Sequence, residues 1–107
     1  MRYAAALAAV SMLATVNAAE AACYEGIGCS DSQKFPEAEL RKLSCQALYE
    51  VRNIVYKDNG YCFQTENAIA AFGNQGCSIT SQSKVRLNSF ERYNVGLIRK
   101  VARRKGC

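Results

Sequence analysis

Ser44-Cys45-Gln46-Ala47-Leu48-Tyr49-Glu50-Val51-Arg52-Asn53-Ile54-Val55-Tyr56-Lys57-Asp58-Asn59-Gly60 holds the start, body and stop of a helix. The Ser44 hydroxyl can accept a backbone N–H from the first turn. Leu40, Leu43, Ala47, Leu48, Val51, Ile54 and Val55 recur at spacings of three and four, which makes one apolar stripe. Gly60, following Asn59, tolerates the left-handed backbone that commonly closes a helix. Because the stripe begins upstream of Ser44, the helix can also start near Pro36-Glu37, with Pro in the first turn.

Two further helices follow downstream. Thr65 caps a short one with Ala68, Ile69, Ala71 and Phe72 as its apolar positions, and Gly73 stops it. Asn88, with Glu91 three residues on, is a capping-box variant opening the last helix. Phe90, Tyr93, Leu97, Ile98 and Val101 are its expected buried face. Residues 73–84 read as a polar connector and residues 22–36 as loop. The expected fold is all-α: a small three-helix domain in which two longer helices flank a short one.

The chain has 107 residues, so there is room for one small domain. Met1-Arg2-Tyr3 followed by the Ala-rich run from Ala4 to Ala14 reads as an export signal. Small residues permit cleavage after Ala21 or after Ala18. The expected division is a cleavable signal peptide over 1–21, a loop and short-helix segment over 22–42, and a helical domain over 43–107. A periplasmic or secreted location follows from that signal. No later stretch is apolar for long enough to span a bilayer. An aliphatic residue is missing three positions before Cys23, where Glu20 stands, which argues against a lipid anchor.

Six Cys remain beyond the signal: Cys23, Cys29, Cys45, Cys62, Cys77 and Cys107. An even count in an exported chain reads as three disulfides. Cys23 and Cys29 lie six apart across a segment with two Gly, so a local bridge is expected there. The other four admit three pairings. With no His and no Cys-x-x-Cys pair, zinc is not indicated.

The absence of His also removes the usual neutral-pH base and every His-dependent catalytic dyad. No nucleophile elbow, phosphate loop or calcium loop is present. The expectation is a protein without catalytic residues, cofactor or metal. Charge is the one compositional asymmetry. Residues 22–83 hold five basic and seven acidic residues, and residues 84–107 hold eight basic residues and one acid. Arg92, Arg99 and Arg103 fall on one stripe of the last helix, with Lys100 and Arg104 beside it, and are expected opposite the apolar face. They are candidates for binding anions. Export argues against nucleic acid and for anionic envelope polymer or another exported protein. The alternative is a secreted inhibitor or cationic effector acting on a partner protein or membrane.

Arg52-Asn53, Tyr56, Gly60, Tyr61 and Phe63, together with Val55 in place of Ile, resemble the motif of the YARHG domain. This is a small extracytoplasmic bacterial module. Lys57-Asp58-Asn59 stands where that motif has Ala-Arg-His. Leu43 to Tyr49 resembles the family's entry into its first helix, and Phe72-Gly73-Asn74 to Cys77, then Leu87 to Gly106-Cys107, resembles its Cys-bearing variant in small exported proteins. The resemblance covers about residues 43–107. It implies a helical fold of unknown molecular activity, no catalytic residues to carry over, and a structural role for the motif. The residues themselves predict that Tyr56, Tyr61 and Phe63 pack the hinge between helices while Arg52 and Asn53 bond backbone carbonyls of a neighbouring loop; the alternative is a ligand pocket at the hinge.

Overall fold

The computed structural model describes residues 22–107; the expected export signal over 1–21 lies outside them. A two-stranded antiparallel ribbon comes first, β1 (Cys23–Tyr24) against β2 (Gly28–Cys29). Four α-helices follow: α1 (Glu37–Leu40), α2 (Cys45–Asp58), α3 (Glu66–Phe72) and α4 (Ser89–Arg104). A 3-10 turn over Gln82–Lys84 lies between α3 and α4. The all-α expectation is thus corrected twice. Residues 22–36 contain a ribbon, because Cys23 and Cys29 stand opposite each other in register and are joined by their disulfide. There are also four helices where three were expected.

The fourth helix arises because both candidate starts for the long helix are used. Pro36, with φ −74° and ψ 127°, precedes α1, and the extended Ser44 restarts the chain as α2. The Ser44 hydroxyl accepts the Ala47 N–H at 3.1 Å. An extended residue cannot lie inside a helix, so capping at Ser44 divides the apolar stripe in two. Thr65 caps α3 through the Ala68 N–H at 3.2 Å. Asn88 and Glu91 complete the expected capping box on α4, with both bonds at 2.8 Å. Gly60 adopts φ +90°, which turns the chain so that its carbonyl accepts from both Ser78 and Ile79.

α2 and α4 pack antiparallel, tied at both ends. Cys45, which opens α2, is bonded to Cys107 beyond α4. At the other end Asn59 donates to Glu91 at 3.0 Å and to the Val55 carbonyl at 2.8 Å. The third disulfide, Cys62–Cys77, closes a loop around α3. Chain-entropy reasoning gives about 2, 3 and 4 kcal/mol for loops of 6, 15 and 62 residues.

Two apolar clusters fill the seam. Phe35, Leu40, Leu48, Val51, Leu97, Ile98 and Val101 form one, with Tyr24 and Ile27 of the ribbon region against it. Val55, Tyr56, Val85 and Val95 form the other. The expected face of α4 is only partly correct. Phe90 and Tyr93 are 37% and 44% exposed, while Glu91, Asn94 and Val95 are buried beside Leu97, Ile98 and Val101. Tyr93 instead carries the Lys34 ammonium over its ring at 4.9 Å.

Asn94, wholly buried, explains the exchange. Its carbonyl oxygen accepts the Phe35 N–H at 2.8 Å, and its amide donates to the carbonyls of Ser30 (3.0 Å) and Gln33 (2.9 Å). One side chain thereby satisfies three backbone groups of a loop some 60 residues away and seats Phe35 in the core. Asn94→Ala leaves those groups unpaired at a cost of about 3 kcal/mol. Urea unfolding of the oxidised chain measures this; a loss below about 1 kcal/mol would show that the loop is held by other contacts.

Around the ribbon, burial raises the Tyr24 hydroxyl pKa and Asp58 raises it further. The Asp58 carboxyl is also raised, first by burial and then by Glu91 and Asp31, against a backbone hydrogen bond from Ala22 and the Lys57 charge. A carboxyl whose folded pKa exceeds its unfolded value binds more protons when folded. Its contribution to stability therefore falls as pH rises from the unfolded pKa through the folded one. Asp58→Asn removes that dependence. The stability difference between variant and parent is expected to move in the variant's favour between pH 4 and pH 7, read from urea midpoints; a pH-independent difference would refute the assignment.

Candidate functional site

The sequence motif lies where α2 ends and the chain turns towards α3. Tyr56, Tyr61 and Phe63 pack the hinge as expected from the sequence, with ring centroids 6.0 Å apart for Tyr56–Tyr61 and 5.1 Å for Tyr61–Phe63. The series continues from Phe63 to Phe72 of α3 at 4.9 Å and back to Tyr49 of α2 at 5.8 Å. Five rings thus leave α2 at Tyr56 and return to it at Tyr49. They are held by backbone pairing. The Asn74 side chain accepts the Phe63 N–H at 2.7 Å and donates to the Phe63 carbonyl at 3.1 Å. The Cys62 N–H donates to Ile79, which also pairs with Tyr61 in an isolated parallel bridge. Residues 73–84, read as a polar connector, are therefore fastened along much of their length.

The expectation that Arg52 and Asn53 bond a neighbouring loop is not met. Asn53 is buried, and its amide donates to Tyr49 of its own helix at 2.9 Å. Arg52 lies between Tyr49 and Tyr56 on one face of α2, three residues from one and four from the other. Its guanidinium is 5.8 Å from the Tyr49 ring. Its Nε–H is shielded from solvent and has no acceptor among the described residues. Burial lowers the Arg52 pKa from the ordinary arginine value, and the nearby Arg99 charge lowers it further, while Tyr56 and Tyr49 oppose the shift.

The five cations on α4 do not form the single surface expected. Arg99 is half-buried. One of its terminal nitrogens donates to the Tyr56 hydroxyl at 3.3 Å and to the Gln82 amide oxygen at 3.2 Å, and its guanidinium is 5.9 Å from the Tyr56 ring. It flanks the core because Val95 and Ile98, four and one residues before it, are buried. Arg92 bonds the Leu87 carbonyl at the start of its own helix. Arg104 pairs with Glu37 at 3.2 Å. Lys100 and Arg103 are exposed and form no ion pair among the described residues.

Two concavities draw lining residues from both α2 and α4; Arg52 lines only the smaller. A broad groove of about 670 Å³ is lined by Tyr56, Gln82, Ser83, Arg86 and Arg92. A smaller one of about 350 Å³ lies between Leu48, Tyr49, Arg52, Ile98 and Ala102. The sequence pointed to Tyr56 and Arg99 separately but not to their hydrogen bond, and Gln82 gave no signal within its polar run. All six Cys are consumed in disulfides, and no group of three or more metal-ligating side chains occurs among the described residues. No helix there is long and apolar enough to cross a membrane.

The YARHG domain pattern matches residues 24–103. No curated protein and no solved structure matches the chain. The match begins well before residue 43, where the motif resemblance starts, and takes in all of the ribbon but Cys23 together with the loop that Asn94 holds. With most of the chain so covered, from the ribbon through α4, this protein belongs to the YARHG domain family.

Proposed function

We propose that the chain is a non-catalytic extracytoplasmic module that binds anionic cell-envelope material through the basic surface of its last 24 residues. Three disulfides using every Cys suit an oxidising compartment. Family membership adds to this reading, since YARHG domains are small extracytoplasmic modules. The observation that carries it is the fate of charge in residues 84–107. The single acid there, Glu91, is buried in the capping box, so the charged side chains that this segment exposes are all cations. Lys100 and Arg103 on α4 and Arg86 before it are exposed. Such a surface raises the local concentration of polyanions and is screened by salt.

Phe90 and Tyr93 favour a second reading. Two exposed rings on the opening turns of α4 suit a protein partner, as an inhibitor or effector would need.

Co-sedimentation with lipopolysaccharide vesicles and with peptidoglycan separates these readings. Binding is expected at about 0.01 M salt and lost at about 1 M, where the Debye length falls from about 30 to about 3 Å. The double variant Lys100→Gln/Arg103→Gln is expected to bind more weakly. Absence of binding at both salt concentrations would overturn the envelope reading. Salt-insensitive capture of an exported protein that is lost in Phe90→Ala/Tyr93→Ala would support the second.

A further inference from the structure

We infer that the broad groove between the 3-10 turn and the start of α4 binds a phosphate group carried on a larger molecule, with Tyr56, Gln82, Arg86 and Arg92 as its hydrogen-bond donors. The inference rests on the reading of the chain as an anion binder and gives that reading a place and a head group.

Arg99 decides the chemistry of this groove without lining it. A guanidinium can only donate. One of its terminal nitrogens donates to the Tyr56 hydroxyl oxygen at 3.3 Å and to the Gln82 amide oxygen at 3.2 Å. What each of these residues has left is a donor. The Tyr56 hydroxyl keeps its own hydrogen, and the Gln82 amide keeps its NH2, because its oxygen is the atom that faces Arg99. Both residues line the groove. Arg99 is thus a positioning residue, and it strengthens the two donors as well, since hydrogen bonds in series polarise one another.

The rest of the lining has the same character. Arg86 and Arg92 are exposed on the groove, and neither enters the ion pairs of the described residues. The bond from Arg92 to the Leu87 carbonyl steadies its long side chain, so part of the ordering cost is met by folding and not by binding. No acidic side chain lines the groove. Two guanidinium groups, an amide and a phenol offer more donors than the two oxygens of a carboxylate can use, and they suit a tetrahedral oxyanion. The volume of about 670 Å³ is that of a small-molecule site and exceeds what a lone phosphate fills. Val85 and Leu87, on either side of Arg86, also line it and give apolar contact to whatever carries the phosphate.

The experiment is a titration of the purified oxidised chain, followed by NMR at constant ionic strength, with inorganic phosphate, glucose 1-phosphate, glycerol 3-phosphate and, for comparison, acetate. Saturable shifts of the Gln82 side-chain amide and of backbone amides over 82–92 are expected with the phosphates. The lower midpoint of the two esters tells a sugar carrier from a lipid-type headgroup, and either result supports the site; a midpoint for inorganic phosphate below both would overturn the assignment of a carrier. Arg86→Gln/Arg92→Gln is expected to raise the midpoint by about tenfold or more. Tyr56→Phe, which keeps the ring and loses the O–H, is expected to raise it by a smaller factor. Gln82→Glu keeps an oxygen for Arg99 and replaces the groove's amide donor with a carboxylate, so saturation is expected to vanish while backbone spectra show the chain folded. Arg99→Gln is expected to move the Gln82 side-chain resonances before any ligand is added, which a loss of stability alone would not do. Linear shifts without saturation, acetate saturating at the phosphate midpoint, or a Gln82→Glu chain that binds like its parent would overturn the inference. Saturable phosphate binding without envelope co-sedimentation would leave this site standing while the envelope reading fails. Co-sedimentation without saturable shifts would do the reverse.

Discussion

The antiparallel contact between α2 and α4 is the constraint on which the rest of this small protein depends. It is covalent at one end, through Cys45–Cys107, and hydrogen-bonded at the other, through Asn59 and Glu91. Two helices of this length expose too much apolar surface to be stable as an isolated pair. Each side of the seam is therefore covered by a segment with little regular structure of its own. On one side the ribbon, the loop after it and α1 bring Phe35 and Leu40 into the core. On the other, the hinge, α3 and the fastened connector bring Tyr61, Ile79 and Val85.

Polar side chains make both coverings possible. Asn94 and Asn74 do the same work at different places: each uses its amide as a substitute peptide group and satisfies backbone that no strand or helix would pair. Buried backbone must find partners, and a short chain with few strands has few to offer. Asn59 and Glu91 solve the related problem at helix ends. Burial of these groups is thus part of what specifies the fold, even though composition alone would place them at the surface.

Much of the fold was legible because caps and stops are local chemistry. Ser44, Thr65, Asn88 with Glu91, and Gly60 with Gly73 mark helix ends that the structure keeps, and the Cys23–Cys29 bridge followed from a short span with two glycines. What escaped the sequence depends on partners far along the chain. Asn94 is buried for the sake of residues 59 to 64 positions away, and this turns α4 so that Phe90 and Tyr93 face outward. That same orientation brings Arg99 to the edge of the core, although its spacing aligns it with Arg92 and Arg103. The site suffered most from this limit. Its members lie on α2, on the connector and on α4, and no local pattern relates Tyr56 to Arg99 or either to Gln82.

The order of cysteines along the chain has a consequence for how the molecule is assembled. Cys45 is followed by Cys62 and Cys77, yet its partner is the last residue shown, 62 positions on. A thiol oxidised in order of synthesis would meet Cys62 first and trap the hinge against the start of α2. Correct oxidation therefore requires either that α2 and α4 associate before Cys45 reacts, or that an early mispairing is reshuffled by thiol–disulfide exchange. The long bridge thereby makes native connectivity a record of helix association: only a chain whose two long helices have found each other can close it.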